Sequence, residues 1–137
     1  MSSAIEYRVD RALSVEEFID VLERSTLAER RPVADRACMQ GMVEHAGLTA
    51  TAWDGGTLIG VARSVTDFCY ACYLSDLAVD VRYQRSGVGR ALIQCTLKQL
   101  GPRCKIRLIS APAAADYYRK IGFVQNLKCW ELGHEAT

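Results

Sequence analysis

The chain has 137 residues, half of them apolar and 24% charged, with a formal net charge of +1. That balance suits one globular domain with a sizeable core, taken here as residues 1–137. It lacks the basic stripe of a nucleic-acid binder, any apolar run of the roughly 18 residues a spanning helix needs, and a secretion signal in MSSAIEYRVD. The expectation is a cytoplasmic protein with no nucleic-acid or membrane partner.

Ile5, Tyr7 and Val9 alternate with polar residues, which predicts a first strand. Ser14 and Glu17 form a Ser-x-x-Glu capping box, and Val15, Phe18, Ile19 and Leu22 follow at helical spacing. A second helix is predicted from Pro32, a good first-turn residue, with Cys38, Met39, Met42, Val43 and Ala46 on its face and Gly47 ending it. Two strands, LTATAW and TLIGVARSV, flank the hairpin signal Asp54-Gly55-Gly56. ACYLSDLAVD reads as the next strand. The helix after it carries two apolar stripes, Val88, Ala91, Leu92, Cys95 and Ile93, Leu97, Leu100, so it should be buried on two sides. Gly101 and Pro102 stop it. KIRLISA reads as a strand. Ala114, Tyr117, Tyr118 and Ile121 predict a short helix capped by Gly122, with Phe123 folding back on it. FVQNLKCWEL should close the chain as a strand. The order β-α-α-β-β-β-α-β-α-β implies an α/β (α+β) fold with a mixed, mostly antiparallel sheet flanked by helices.

Six cysteines call for a reading: Cys38, Cys69, Cys72, Cys95, Cys104 and Cys129. Without a secretion signal a disulfide framework is not expected. Cys69 and Cys72 make a CxxC, but no second ligand pair accompanies it, and its aromatic neighbours favour a strand over the helix start of a redox motif. Buried, reduced thiols and no metal are expected.

The stretch YQRSGVGRALI places Gly87 and Gly89 between a strand and a helix. The first N–H groups of a helix lack internal partners and sit at the positive end of its dipole. Glycines there let a ligand approach the backbone, so the pattern can cradle a phosphate, with Gln84, Arg85 and Arg90 adding donors and charge. Alone it can equally be a plain turn. The nucleotide loop GxxxxGK[ST] is absent, and a dinucleotide G-x-G-x-x-G fails at Leu92.

Its flanks add to this. LAVDVRYQRSGVGRALI resembles the acetyl-CoA motif of the GNAT acetyltransferases (Gcn5-related N-acetyltransferases), an apolar strand and then Gln/Arg-x-x-Gly-x-Gly/Ala opening a helix. About 30 residues on, AAADYYRKIGF is similar to that family's A-x-x-x-Tyr-x-Lys-x-Gly-Phe helix, at Ala114, Tyr118, Lys120, Gly122 and Phe123. The predicted element order agrees with the same fold.

The resemblance implies an N-acetyltransferase that uses acetyl-CoA as cosubstrate and a primary amine, in a small molecule or peptide, as acceptor. The CoA pyrophosphate would lie on the backbone of Gln84, Arg85, Ser86, Gly87, Val88, Gly89 and Arg90. Leu77, Ala78 and Val79 would offer backbone groups to the pantetheine arm, with the Val79 N–H polarising the thioester carbonyl. Tyr118 matches the family's general acid, and Tyr117 would be a packing residue. Some relatives carry Tyr-Leu-Glu-Asp on the preceding strand, the Glu acting as base through water. Here the stretch is Tyr73-Leu74-Ser75-Asp76, which leaves Asp76 as candidate base if a bulge re-aims it. Many relatives also place an Asn at the position of Ala111. The acceptor site would involve Arg30, Arg31, Asp35, Arg36, Glu44 and His45, with Trp53 and Tyr73 as walls. The last strand would suit a homodimer edge. The alternative from the residues is a module that binds acyl-CoA without turnover; a CxxC redox or zinc protein is the third.

Overall fold

The computed structural model describes residues 4–134. Strands β1 (Glu6–Arg8), β2 (Leu48–Asp54), β3 (Thr57–Thr66), β4 (Ala71–Val79) and β5 (Lys105–Arg107) form one sheet in sequence order. The first four are antiparallel, and β5 joins β4 in parallel, so the sheet is mixed as expected. Helices α1 (Val15–Ser25) and α2 (Arg36–Glu44) cover one face. Helices α3 (Val88–Lys98) and α4 (Ala115–Lys120) cover the other.

Local chemistry explains most boundaries. Ser14 Oγ accepts the Glu17 N–H at 3.0 Å while Glu17 accepts the Ser14 N–H at 3.1 Å, so both halves of the capping box are made. Gly55 and Gly56 form the two-residue hairpin loop, with Asp54 opposite Thr57. Phe18, Leu22 and Met39 are fully buried against Val61 and Ala78, each contributing about 1.5–3 kcal/mol by removal from water. On the far face Val88, Leu92 and Ile93 pack on Ala50, Ala52 and Ala62.

Several expectations change. The second helix starts at Arg36, not Pro32: Asp35 caps it by accepting the Cys38 N–H, and Pro32 sits in a turn after a 3-10 segment, Leu27–Arg30. Cys38 is exposed rather than on the apolar face, and so are Cys69 and Cys129, while Cys72 and Cys104 are buried. Cys69 lies in a turn, where Asp67 Oδ1 accepts the N–H groups of Cys69, Tyr70 and Ala71. The second stripe of helix α3 is covered only in part: Ile93 is buried on the sheet with Val88 and Leu92, and Leu97 is 52% exposed.

The terminal stretch 123–132 forms no strand, and Val124, Leu127 and Trp130 are exposed. Val124, Leu127 and Trp130 stand three apart, so a strand would point them to alternating faces. The sheet edge expected there for a homodimer is therefore not formed. Strand β5 is also shorter than predicted. It pairs only with Ala71, Cys72 and Tyr73, leaving β4 from Leu74 to Val79 open on that side. The pairing stops just before a bulge in β4. Arg63 lies opposite Asp76 and Ser64 opposite Leu74, so Ser75 is the extra residue.

Candidate active site

The open edge of β4 lies between two ends that are built differently. At the C-terminal end the Asp80 N–H donates to Ile59 O at 2.8 Å, which makes Gly60–Val79 a pair without hydrogen bonds of its own. By alternation Leu77 and Val79 turn their N–H and C=O groups to the open edge, and Ala78 turns its groups to β3. Of the three residues expected to offer backbone there, Leu77 and Val79 are placed to do so, and Ala78 is committed to the sheet.

From Val79 the chain makes a 3-10 turn, Val81–Tyr83, and enters the glycine loop. Four contacts fix that path. Asp80 accepts the Arg82 N–H at 2.9 Å, Tyr83 Oη donates to Asp54 at 2.5 Å, Gln84 Nε2 donates to Val79 O at 2.9 Å, and Ser86 Oγ donates to Tyr83 O. Gln84 thus braces the loop. Asp80 is 1% exposed and pairs with Arg24 at 2.6 Å and Arg82 at 3.0 Å. The Arg82 side chain foremost holds its carboxyl well below the usual carboxylate range. No sequence motif pointed to Asp80; the signal available was an acid directly after an apolar strand and before a turn.

Gly87 is the N-cap of α3 at φ +87°, a conformation that favours glycine. The first helical bond is Ala91 N–H to Gly87 O at 3.0 Å, so the N–H groups of Val88, Gly89 and Arg90 have no partner among the described residues. Arg85 and Arg90 form no ion pair among the described residues and remain exposed. Gly89 has a different reason to be glycine. A Cβ there would stand 2.7 Å from the Tyr117 hydroxyl, which lies over the helix start. Tyr117 is therefore more than packing: its ring meets Tyr118 edge-on at 5.3 Å, and its hydroxyl closes on the loop.

Tyr118 projects from α4 into the cluster on the α3 face, with Phe123 edge-on at 5.4 Å. Gly122 at φ +102° turns the chain, and the Phe123 N–H donates back to Tyr118 O at 3.0 Å. The hydroxyl has no hydrogen-bond partner among the described residues. Burial pushes it up to about 12, with the Tyr117 side chain adding to the rise and the Arg31 cation opposing it. Tyr118 therefore holds its proton across the physiological range.

At the other end of the open edge the bulge turns Ser75 and Asp76 to one side. Asp76, the candidate base, is 1% exposed and sits between two guanidinium groups, Arg31 and Arg63. Both of its oxygens accept from them, so the bulge re-aims Asp76 into a buried ion-paired cluster and not toward an amine. Arg63 also donates to Ser75 Oγ at 2.9 Å and to Met42 O at 3.1 Å; Arg31 donates to Ser75 O at 2.7 Å.

The remaining acceptor-side residues scatter. Arg36 pairs with Glu16, Glu44 accepts from Gln40 at 2.9 Å, and His45 is the backbone cap of α2. Trp53 is buried and stacks under Arg11 at 4.5 Å, beside a hollow lined by Asp20, Arg24 and Arg82 that contains neither Tyr118 nor Ser75. Tyr73 and Arg30 are exposed, and Arg31 alone of the set reaches the bulge.

Among the described residues no three His, Cys, Asp or Glu side chains gather as a metal site, and no helix is long and apolar enough to cross a membrane. The sequence model for the acetyltransferase (GNAT) domain matches residues 14–128. The Glycine max histone acetyltransferase TAP1 is 35% identical over 68 residues, 48% of this chain and 29% of that protein. The chloroplastic GCN5-related N-acetyltransferase 2 of Arabidopsis thaliana is 34% identical over 68 residues, covering 48% and 26%. The match thus spans under a third of either relative's length. In fold, a GNAT-family acetyltransferase from Streptococcus pneumoniae superposes with TM-score 0.76 at 18% identity, over 96% of this chain and 100% of that one. An aminoglycoside acetyltransferase from an uncultured soil sample, in complex with sisomicin, gives 0.67 at 17% identity, covering 95% of each. With the domain match running from the first helix cap to beyond α4, the chain belongs to the GNAT acetyltransferase family.

Proposed function

We propose that the protein transfers the acetyl group of acetyl-CoA to a primary amine. The observation that carries this is the open edge of β4, which runs into an uncapped helix start at Gly87 with Tyr118 beside it. These residues fit the cosubstrate. Three N–H groups and two arginines without partners among the described residues suit the pyrophosphate, and no described atom lies within 4 Å of a Cβ built at Gly87. Leu77 faces the edge with a donor and an acceptor for the pantetheine amides, the Val79 carbonyl is held by Gln84, and the Val79 N–H can polarise the thioester carbonyl. When bound, acetyl-CoA supplies the activated thioester. The amine nitrogen bonds to the carbonyl carbon and the C–S bond breaks. Tyr118 gives its proton to the departing sulfur and recovers one through water from the acylated nitrogen.

The fold neighbours include an enzyme for aminoglycosides and a ribosomal-protein-alanine N-acetyltransferase from Brucella melitensis, so the fold serves both small and protein acceptors. The test is thiol release from acetyl-CoA across amino acids, diamines, aminoglycosides and peptides. Acceptor-dependent release is expected, and Tyr118→Phe should lower kcat about tenfold to a hundredfold with the acetyl-CoA Kd unchanged. Tight acetyl-CoA binding with no release on any acceptor would replace this reading by a binding module. The sequestered Asp76 is the feature that favours that second reading.

A further inference from the structure

The site has a problem to solve, and no carboxylate among the described residues is placed to solve it. An aliphatic ammonium must lose a proton before it can attack. Ser75 stands where a Glu would act, and its Oγ already accepts a hydrogen bond from Arg63. Asp76 is enclosed by two cations. At the bulge stands Arg31, which donates to the Ser75 carbonyl and whose side chain remains 21% exposed while Arg63 is closed in at 6%.

The groups that meet this cation come from every element packed on it. Asp76 and the Ser75 carbonyl lie on β4, Arg63 on β3 shares Asp76 with it, the Arg30 carbonyl precedes it, and Tyr118 on α4 feels its charge. Two guanidinium groups against one carboxylate leave one positive charge in excess. Arg31 carries it to the bulge at the end of the open β4 edge, where it donates to the Ser75 carbonyl at 2.7 Å and keeps part of its side chain in solvent. Like charge disfavours a second cation nearby.

We propose, building on the acetyl-transfer reading above, that Arg31 takes the place of a general base: its charge keeps the acceptor amine neutral at the open edge of β4 and selects acceptors with no second positive charge over polycations. The same charge steadies the thiolate and the oxyanion as they form. Arg31 acts through the field, so it is a positioning residue. Proton transfer from the incoming ammonium then goes to water before binding is complete, and the site accepts the free amine.

The test uses coenzyme A itself as probe. The ultraviolet absorbance of the thiolate is followed against pH for coenzyme A bound to the wild-type protein, to Arg31→Gln and to Arg31→Lys. The wild type should ionise the bound thiol at lower pH than free coenzyme A. Arg31→Gln should raise that midpoint by about one unit, and Arg31→Lys should restore most of the difference. With butylamine and 1,4-diaminobutane as acceptors, the wild type should prefer the monoamine, and Arg31→Gln should narrow the preference. A wild-type midpoint at or above that of free coenzyme A overturns the inference without any variant. So does a folded, coenzyme A-binding Arg31→Gln whose midpoint is unchanged. Failure of the wild type to bind coenzyme A would instead refute the acetyl-transfer reading.

Discussion

Two buried aspartates stand four residues apart along the same stretch of chain, each held by two arginines, and they do different work. Asp80 follows β4 and joins a local turn to Arg24 of α1, 56 residues away. It caps the turn that follows, and one of its arginines, Arg82, is two residues away and 68% exposed. Asp76 serves the whole sheet. Its arginines come from the loop before α2 and from β3, and through them the bulge is tied to Met42 and to the Ser75 carbonyl. Each carboxylate ties distant elements together, and the one at Asp80 also shapes a loop. The decisive variable is how far the arginines are from water: Arg82 is 68% exposed, Arg63 only 6%.

That difference predicts unequal costs. Asp76→Ala leaves two guanidinium groups facing each other in a closed site, so it should destabilise by about 3–5 kcal/mol. Chemical denaturation would read this as a lower midpoint at unchanged slope. A loss under 1 kcal/mol would mean that the cluster is solvated and that the contrast between the two aspartates fails. Asp80→Ala should cost less, about 1–3 kcal/mol, since Arg24 keeps a quarter of its side chain in solvent and Arg82 most of it. Its larger effect should fall on the glycine loop, as a several-fold weaker acetyl-CoA Kd. Unchanged affinity would show that the other three contacts hold the loop without Asp80.

How much of this could be read from the sequence depends on how far apart the partners lie in the chain. Features fixed by neighbours in the chain were legible: the Ser14–Glu17 box, the Gly55-Gly56 hairpin, the Gly87 cap and the Gly122 turn all rest on contacts within a few residues. The Tyr118–Phe123 return was legible for the same reason. What was hidden depends on partners 13 to 56 residues away, such as Arg63 and Arg31 on Asp76, or Arg24 on Asp80. A lone arginine in a loop or strand carries no mark of the carboxylate it will meet. Leu97 and the 123–132 stretch misled in the opposite way. Their apolar residues suggested burial, and Leu97, Val124, Leu127 and Trp130 are exposed.

The two loop glycines sharpen the contrast on a smaller scale. Gly87 is needed for its backbone angle, so Gly87→Ala should cost about 1–2 kcal/mol whatever else is changed. Gly89 is needed for space, because its missing Cβ is where the Tyr117 hydroxyl comes within 2.7 Å. Gly89→Ala should therefore be partly rescued by Tyr117→Phe, while Gly87→Ala should not. A double-mutant cycle decides it, and additive effects at Gly89 would exclude the steric reading.

The smallest effect expected is that of Arg82→Ala, and its pH dependence is more telling than its size. The Asp80 carboxyl is held below its ordinary range first by the Arg82 side chain, and then by the Arg82 N–H and Arg24. A depressed carboxylate adds stability above its unfolded value, near 4, and that stability is lost as pH falls through the folded value. Arg82→Ala removes part of the depression and leaves Arg24 in place. The wild type should thus melt slightly higher than the variant at neutral pH, and the gap should close as pH falls below about 4. A gap that persisted in acid would mean that Arg82 stabilises by covering the Tyr83 ring, over which its guanidinium lies at 5.9 Å, and not by holding the charge of Asp80.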